Sequence, residues 1–273
     1  MLNQNTKATT KHSVPSQLSL RDRIIVYGGV FLVSAMAWAY MFYMGWAMEN
    51  MHLVDMWMPP QGGTRAWGLY DFWMLFAMWA VMMVAMMTPS VIPMVLMYTT
   101  IKKSKQKKGQ PYSPTFIFLS GYLVAWSLFS IVASAIQYPL HESGLLNPMM
   151  NSRSYLLSGS ILVIAGLYQW TPLKDACLTE CRSPLSFLMT SWKEGHFGAF
   201  KLGVHHGLYC IGCCWALMAV LFAVGVMNML WVLLLTAFVL IEKVGPLSQK
   251  YVRIITGLLL ITWGGYWLSL YPW

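Results

Sequence analysis

Residues 203–218, GVHHGLYCIGCCWALM, hold three of the chain's five cysteines and two of its six histidines within one long apolar segment. On a helix, side chains three and four positions apart share a face. His206, Cys210, Cys213 and Cys214 therefore form one cluster, and Met218 extends it by a turn. Thiolate sulfur beside imidazole is a ligand set that copper(I) and zinc select. Polar residues of this kind inside a bilayer mark bundle interiors and cavities. A single helix face cannot wrap an ion, so at least one further ligand has to come from elsewhere. Cys177 and Cys181, spaced i, i+4, are candidates, as is a methionine of the segment near residue 80.

The other sulfur is thioether. Of 22 methionines, Met82, Met83, Met86 and Met87 fall together. Met78, Met82 and Met86 form one i, i+4 stripe, and Met83 with Met87 forms a second. Both residue types also have bland uses. Met fills irregular gaps, and a free Cys often packs as a small apolar side chain. A packing role therefore competes with a ligand role at each position, most strongly at the single methionines. The glycines Gly203 and Gly207 read as close helix packing beside His206.

The elements that must position these groups are membrane helices. The 273 residues are 58% hydrophobic and only 10% charged, against roughly 25% charged in soluble domains. The expectation is an all-α polytopic helix bundle of about seven transmembrane helices. The expected segments are 24–46, 69–100, 115–138, 154–172, 203–226, 229–242 and 253–270. Pro89 and Pro93 should kink or break the second. Residues 1–23 read as a polar cytoplasmic tail and 24–273 as one membrane domain. The tail lacks an apolar core, so the first segment is expected to act as its own signal. The net charge of +9 sits in short loops and reads as topology bias, not as nucleic-acid binding. Bases in the tail, in 102–108, in 173–201 and in 243–253 alternate with the base-poor loops 47–67, 139–152 and 227–228. This orders the N-terminus inside and the C-terminus outside the membrane. If 203–226 and 229–242 formed a helical hairpin that fails to cross, five full spans would remain and both termini would keep their sides.

With this orientation thioethers dominate outside and at mid-depth, and thiols with imidazole dominate inside. Met44, Met48, Met51, Met56 and Met58 stand near His52 and Asp55, while Met149, Met150, Met227 and Met229 occupy the other outer loops. A thioether binds copper(I) without losing a proton, whereas a thiolate binds more tightly and needs a reducing compartment. Five cysteines on the inner half argue against a disulfide framework. Glu242 and Lys243 read as an interfacial pair, or alternatively as a carboxylate supporting a nearby histidine.

Four stretches carry a family resemblance: 79–90 (WAVMMVAMMTPS), 169–184 (QWTPLKDACLTECRSP), 206–215 (HGLYCIGCCW), and Glu242 with Lys243. In this combination the chain resembles the uncharacterised bacterial family of predicted metal-binding integral membrane proteins catalogued as domain of unknown function 2182. The resemblance implies a membrane protein with a metal site and an association with copper handling. It implies no activity and no catalytic residue.

The expected function is copper(I) uptake, storage or delivery, with zinc as the alternative ion and His206, Cys210, Cys213, Cys214, Cys177, Cys181, Met82, Met83, Met86 and Met87 as the ligand candidates. Expected partners are the lipid bilayer, the metal ion, other membrane subunits and a soluble metallochaperone. No nucleotide-binding motif is present, so the chain would not pump by itself. An oxidoreductase subunit and a purely structural subunit are the alternatives. The scarcity of paired histidines argues against a multi-histidine redox centre, and a carrier is favoured over an enzyme.

Overall fold

The computed structural model describes residues 19–55, 57–60, 67–106, 113–147, 150–245 and 248–271. Most of the expected tail, Met56, Arg65, Lys107, Lys108 and Met149 lie outside them. The described residues form ten α-helices: α1 (Leu20–Glu49), α2 (Leu69–Met87), α3 (Ile92–Gln106), α4 (Thr115–Glu142), α5 (Tyr155–Tyr168), α6 (Pro172–Arg182), α7 (Pro184–Ser191), α8 (Gly195–Val224), α9 (Met229–Val244) and α10 (Gln249–Ser269). No strand occurs among them, and the expected all-α bundle is what forms.

Five helices are long and apolar enough to cross a membrane: α1, α2, α4, α8 and α10. The bent pair of α5 and α6, turned by 65° where they meet, would make a sixth span. Seven were expected. The shortfall lies in α9, whose 16 residues extend about 24 Å at 1.5 Å per residue, short of a hydrocarbon core of about 30 Å. Residues 173–201, expected as a connection, are instead α6, α7 and the start of α8.

The second expected segment breaks where its prolines predict. Pro89 has no N–H to continue the ladder, and a 3₁₀ turn at Pro89–Val91 separates α2 from α3. Trp79 of α2 donates its indole N–H to the buried Gln137 of α4 at 2.6 Å, which fixes the two helices to each other.

The α4–α8 pair is the spine of the bundle, and glycine makes it close. A Cβ on Gly203 would stand 2.0 Å from the carbonyl oxygen of Phe118, and one on Gly121 would stand 2.2 Å from that of Phe200. One on Gly207 would stand 2.5 Å from the Cβ of Ala125. Small residues let helix backbones touch where lipid offers no hydrophobic drive to associate. The contact runs in parallel register and carries Tyr122 of α4 to the face of α8 that bears the cysteines. Gly159 and Gly166 of α5 meet Gly264 and Gly257 of α10 in the same way, in antiparallel register.

Two ends can be named. Lys102, Lys103 and Lys105 finish α3, and Lys105 lies over the ring of Trp192, just before α8, at 4.8 Å. Lys103 also pairs with Asp22 at the start of α1. This is the lysine-rich end. At the far end, Tyr155 at the start of α5 packs edge-on to Trp267 at the end of α10, with ring centroids 6.0 Å apart.

Gly203→Ala should force the α4 and α8 backbones apart and lower the thermal unfolding midpoint in detergent, at an overpacking cost of about 1–3 kcal/mol. Gly28→Ala, where an added Cβ meets nothing within 4 Å, should leave the midpoint unchanged. Equal midpoints for the two variants would contradict the close packing of α4 on α8.

Candidate metal centre

Cys210, Cys213 and Cys214 lie near the middle of the 30-residue α8 and are fully buried, as is His206. All five cysteines are free thiols. The expected face forms, and α6 closes on it. Cys181 of α6 stands 3.9 Å from Cys213, sulfur to sulfur, and Cys213 stands 3.2 Å from Cys214. The thiols of Cys181 and Cys214 both reach Cys210. Four thiols from two helices thus converge. With metal–sulfur bonds of about 2.3 Å, ligand sulfurs of one ion lie roughly 3.8–4.0 Å apart. Cys181 and Cys213 already have that separation, whereas Cys213 and Cys214 would have to open slightly. Among the described residues, no group of three or more His, Cys, Asp or Glu side chains has the geometry to hold a metal ion as it stands. The thiols instead bond to one another and to their neighbours.

Cys177 faces the same way but stops one position short. Its sulfur lies 2.7 Å from where a Cβ of Gly212 would be, so the absent side chain of Gly212 is the space that Cys177 fills. Both α6 cysteines are half-buried, unlike the three on α8. His206 lies a helical turn from Cys210 in an aromatic slot. Its ring stacks on Tyr122 at 5.8 Å and Phe118 at 6.2 Å, and Phe187 of α7 tilts against it at 5.4 Å. Its Nδ1 has no hydrogen-bond partner among the described residues.

Met82, Met83, Met86 and Met87 are all fully buried in α2. The chain links α2 to the cysteines through its backbone. Tyr122 Oη donates to the carbonyl of Met87 at 3.2 Å and lies 3.2 Å from Cys210 Sγ. Ser90 Oγ donates to the same carbonyl at 2.8 Å. Pro89 and the 3₁₀ turn leave that carbonyl without its helical partner, and these hydroxyls supply one.

Lys243 completes the group. Its Nζ donates to Cys210 Sγ at 2.7 Å and to Ser90 Oγ at 3.5 Å. The reading of Glu242 and Lys243 as a pair is corrected here: adjacent helical residues point to different faces. Lys243 turns to the thiols. Glu242 turns to α6, where Lys174 Nζ meets its Oε1 at 2.7 Å with both side chains fully buried. Lys174 also donates to the buried Gln169. Glu242 supports a lysine, not a histidine. Tyr122, Ser90 and Lys174 were not singled out from the sequence as site residues. The signal available for the lysines was their position beside apolar helix faces, since a buried ammonium in a membrane bundle demands a partner.

Removing one member of a buried ion pair strands the other charge, at a cost of about 3–5 kcal/mol. Lys174→Met should therefore lower the unfolding midpoint sharply, and the double variant Lys174→Met, Glu242→Leu should recover most of the loss. A single variant as stable as the parent would refute the pairing as a structural requirement.

A family model described as PpoB2, copper chaperone, matches residues 76–267. The match begins within α2 and ends within α10, so it takes in every residue of the thiol cluster. No curated protein and no solved structure matches the chain.

Proposed function

The chain belongs to the PpoB2 copper-chaperone family, and on that premise we propose that it receives copper(I) in a membrane bundle, holds it on thiolates and hands it on. The observation that carries this reading is the convergence of Cys181 with Cys210, Cys213 and Cys214. These are the proposed ligands, with His206 and its unpartnered Nδ1 as an auxiliary donor one turn away. Thiolate sulfur favours copper(I), which is content with fewer ligands than the four that zinc closes around itself. The cluster can therefore begin binding through the Cys181 and Cys213 pair, whose sulfurs would open from 3.9 Å toward the roughly 4.6 Å of a linear two-sulfur ion, before the other sulfurs move.

Charge supports the same reading. A copper(I) ion on two or more thiolates carries net negative charge, which is costly to bury alone. The ammonium of Lys243 already lies on Cys210 and would balance part of it. Cys177 and Cys181 lie on the half-buried α6, so they form the side from which an acceptor protein's thiols would reach the ion by ligand exchange. The proposed setting is a bacterial inner membrane with the lysine-rich end on the cytoplasmic side, following the positive-inside bias. Delivery to a soluble acceptor fits this arrangement better than storage, because a single cluster holds few ions.

Purified protein titrated with copper(I) against a competing chelator should bind tightly. The quadruple variant Cys181→Ser, Cys210→Ser, Cys213→Ser, Cys214→Ser should lose at least about 100-fold in that affinity, or about 2.7 kcal/mol at 1.4 kcal/mol per decade. Cys177→Ser should stay close to the parent. Because thiols release protons on binding, the parent's affinity should fall as the pH is lowered. Undiminished high-affinity binding by the quadruple variant would overturn the assignment.

A further inference from the structure

We propose a second copper(I) site at the far end of the bundle, built from thioethers. A cavity of about 200 Å³ lies there. α1 contributes Met44 and Met48 to its wall, and α2 contributes Met74 and Met78. Met58 follows from the loop before α2, Met150 from the loop before α5, and Met227 from the turn between α8 and α9. Seven of the thirteen lining side chains are thus methionine, in a chain with 22 methionines in 273 residues. The inference rests on the reading that copper(I) is the cargo.

Packing alone does not account for this wall. Methionine is the side chain that adapts to fill an irregular gap, and protein interiors normally close to crystal-like density. Here methionines from five separate stretches surround a gap that stays open. One of them is held at a conformational cost. Met150 has φ 59°, and no other described non-glycine residue has positive φ. Strain of this sort in a side-chain-bearing residue points to a local function. The turn that presents Met227 is likewise specified by its backbone. Gly225 has φ 105°, and a Cβ there would overlap the side-chain amide of Asn151.

The remaining wall suits a soft monovalent cation. Tyr40, Tyr43 and Trp57 present aromatic rings, whose faces attract cations. Trp57 is held by its indole N–H, which donates to Asp71 at 2.8 Å. The carboxylate of Asp55 also lines the cavity, and among the described residues no Lys or Arg does. Thioethers carry no proton to lose, so they bind copper(I) over a wide pH range and more weakly than thiolates do. Such a site collects an ion and releases it. Met78 is both a wall residue and the head of the buried stripe Met78, Met82, Met86. From Met78 to Met87, beside the thiol cluster, α2 rises about 14 Å at 1.5 Å per residue. The cavity is therefore the outer end of a sulfur-lined route whose inner end is the thiol cluster.

The test uses the full chain in detergent, labelled with 13C at the methionine methyls, and silver(I) as a redox-inert probe. In the quadruple Cys→Ser protein, one silver(I) equivalent should remain, shifting the methyl resonances of Met44, Met78 and Met227. Its affinity should be unchanged between about pH 7 and pH 5, since no proton is released. Met44→Leu, Met78→Leu, Met227→Leu conserves volume; added to the quadruple protein it should weaken this equivalent at least ten-fold, and in the parent it should leave the thiol-bound ion in place. If the quadruple Cys→Ser protein, which keeps Cys177, binds no silver(I) and its methyl resonances stay in place while the parent binds, the second site is refuted and the thiol assignment stands. Should the parent itself bind none, the copper(I) reading fails, and this inference with it. The methyl spectra need no methionine variant to fold.

Discussion

Three helices end at one depth, and the carbonyls they leave behind determine what gathers there. α2 stops at Met87, α5 at Tyr168 and α9 at Val244. Each leaves C=O groups with no intrahelical donor, in a setting where water cannot be relied on to supply one. Tyr122 and Ser90 serve the end of α2. Arg253 donates to the carbonyls of Gln169 and Thr171 beyond α5. Arg182 donates to those of Glu242 and Gly245 at the end of α9. Helix C-termini also carry partial negative charge, so this depth favours cations twice over. The arginines, the two buried lysines and the bend that sends α6 across the bundle answer one requirement. α6 brings Cys181 to α8 because its arginine caps α9.

Charge then divides between two lysines. Lys174 is neutralised by Glu242 inside the protein, which anchors α6 against α9 with a pair that is costly to break from one side. Lys243, the next residue, has a thiol and a serine hydroxyl for partners. One ammonium is committed to structure. The other stands on a thiol, so on the proposed reading an anionic copper(I)–thiolate complex would form beside an ammonium that balances part of its charge. Tyr122 ties this arrangement to the spine: the glycines that let α4 lie on α8 set the distance from its hydroxyl to Cys210.

Much of this was legible in the residues. The helical class, the Pro89 break, the small-residue packing at Gly203 and Gly207, and the shared face of Cys210, Cys213 and Cys214 all follow from local rules of spacing and backbone geometry. The expectation that a further sulfur would have to come from a second helix also followed, because one face cannot enclose an ion, and Cys181, which α6 brings to 3.9 Å from Cys213, was among those named. Long-range pairings were hidden. Lys174 reaches Glu242 across 68 residues of chain only because α5 and α6 bend by 65°, and hydropathy does not report bends. Glu242 beside Lys243 looks like a pair in one dimension, and the helix turns the two apart. The span count suffered similarly. A 16-residue apolar run has the composition of a membrane helix but need reach only from the far end to the depth of the thiols.

The short helix has a further consequence. Because α9 stops beside Cys210, the lysine-rich half of α8 is flanked instead by α4 and α7, whose aromatic rings crowd His206. The thiols therefore lie at a boundary between two differently walled halves. Toward the far end the wall is methionine and apolar carbon, with few protons to exchange. Toward the lysine-rich end it is the imidazole of His206 and the rings of Phe118, Tyr122 and Phe187. An ion moving from thioether to thiolate gains affinity at the step where protons leave sulfur. That step is also where Lys243 can compensate the new charge. On the proposed reading, donor chemistry and the placement of one ammonium would together give the sulfur row a downhill direction from thioether to thiolate.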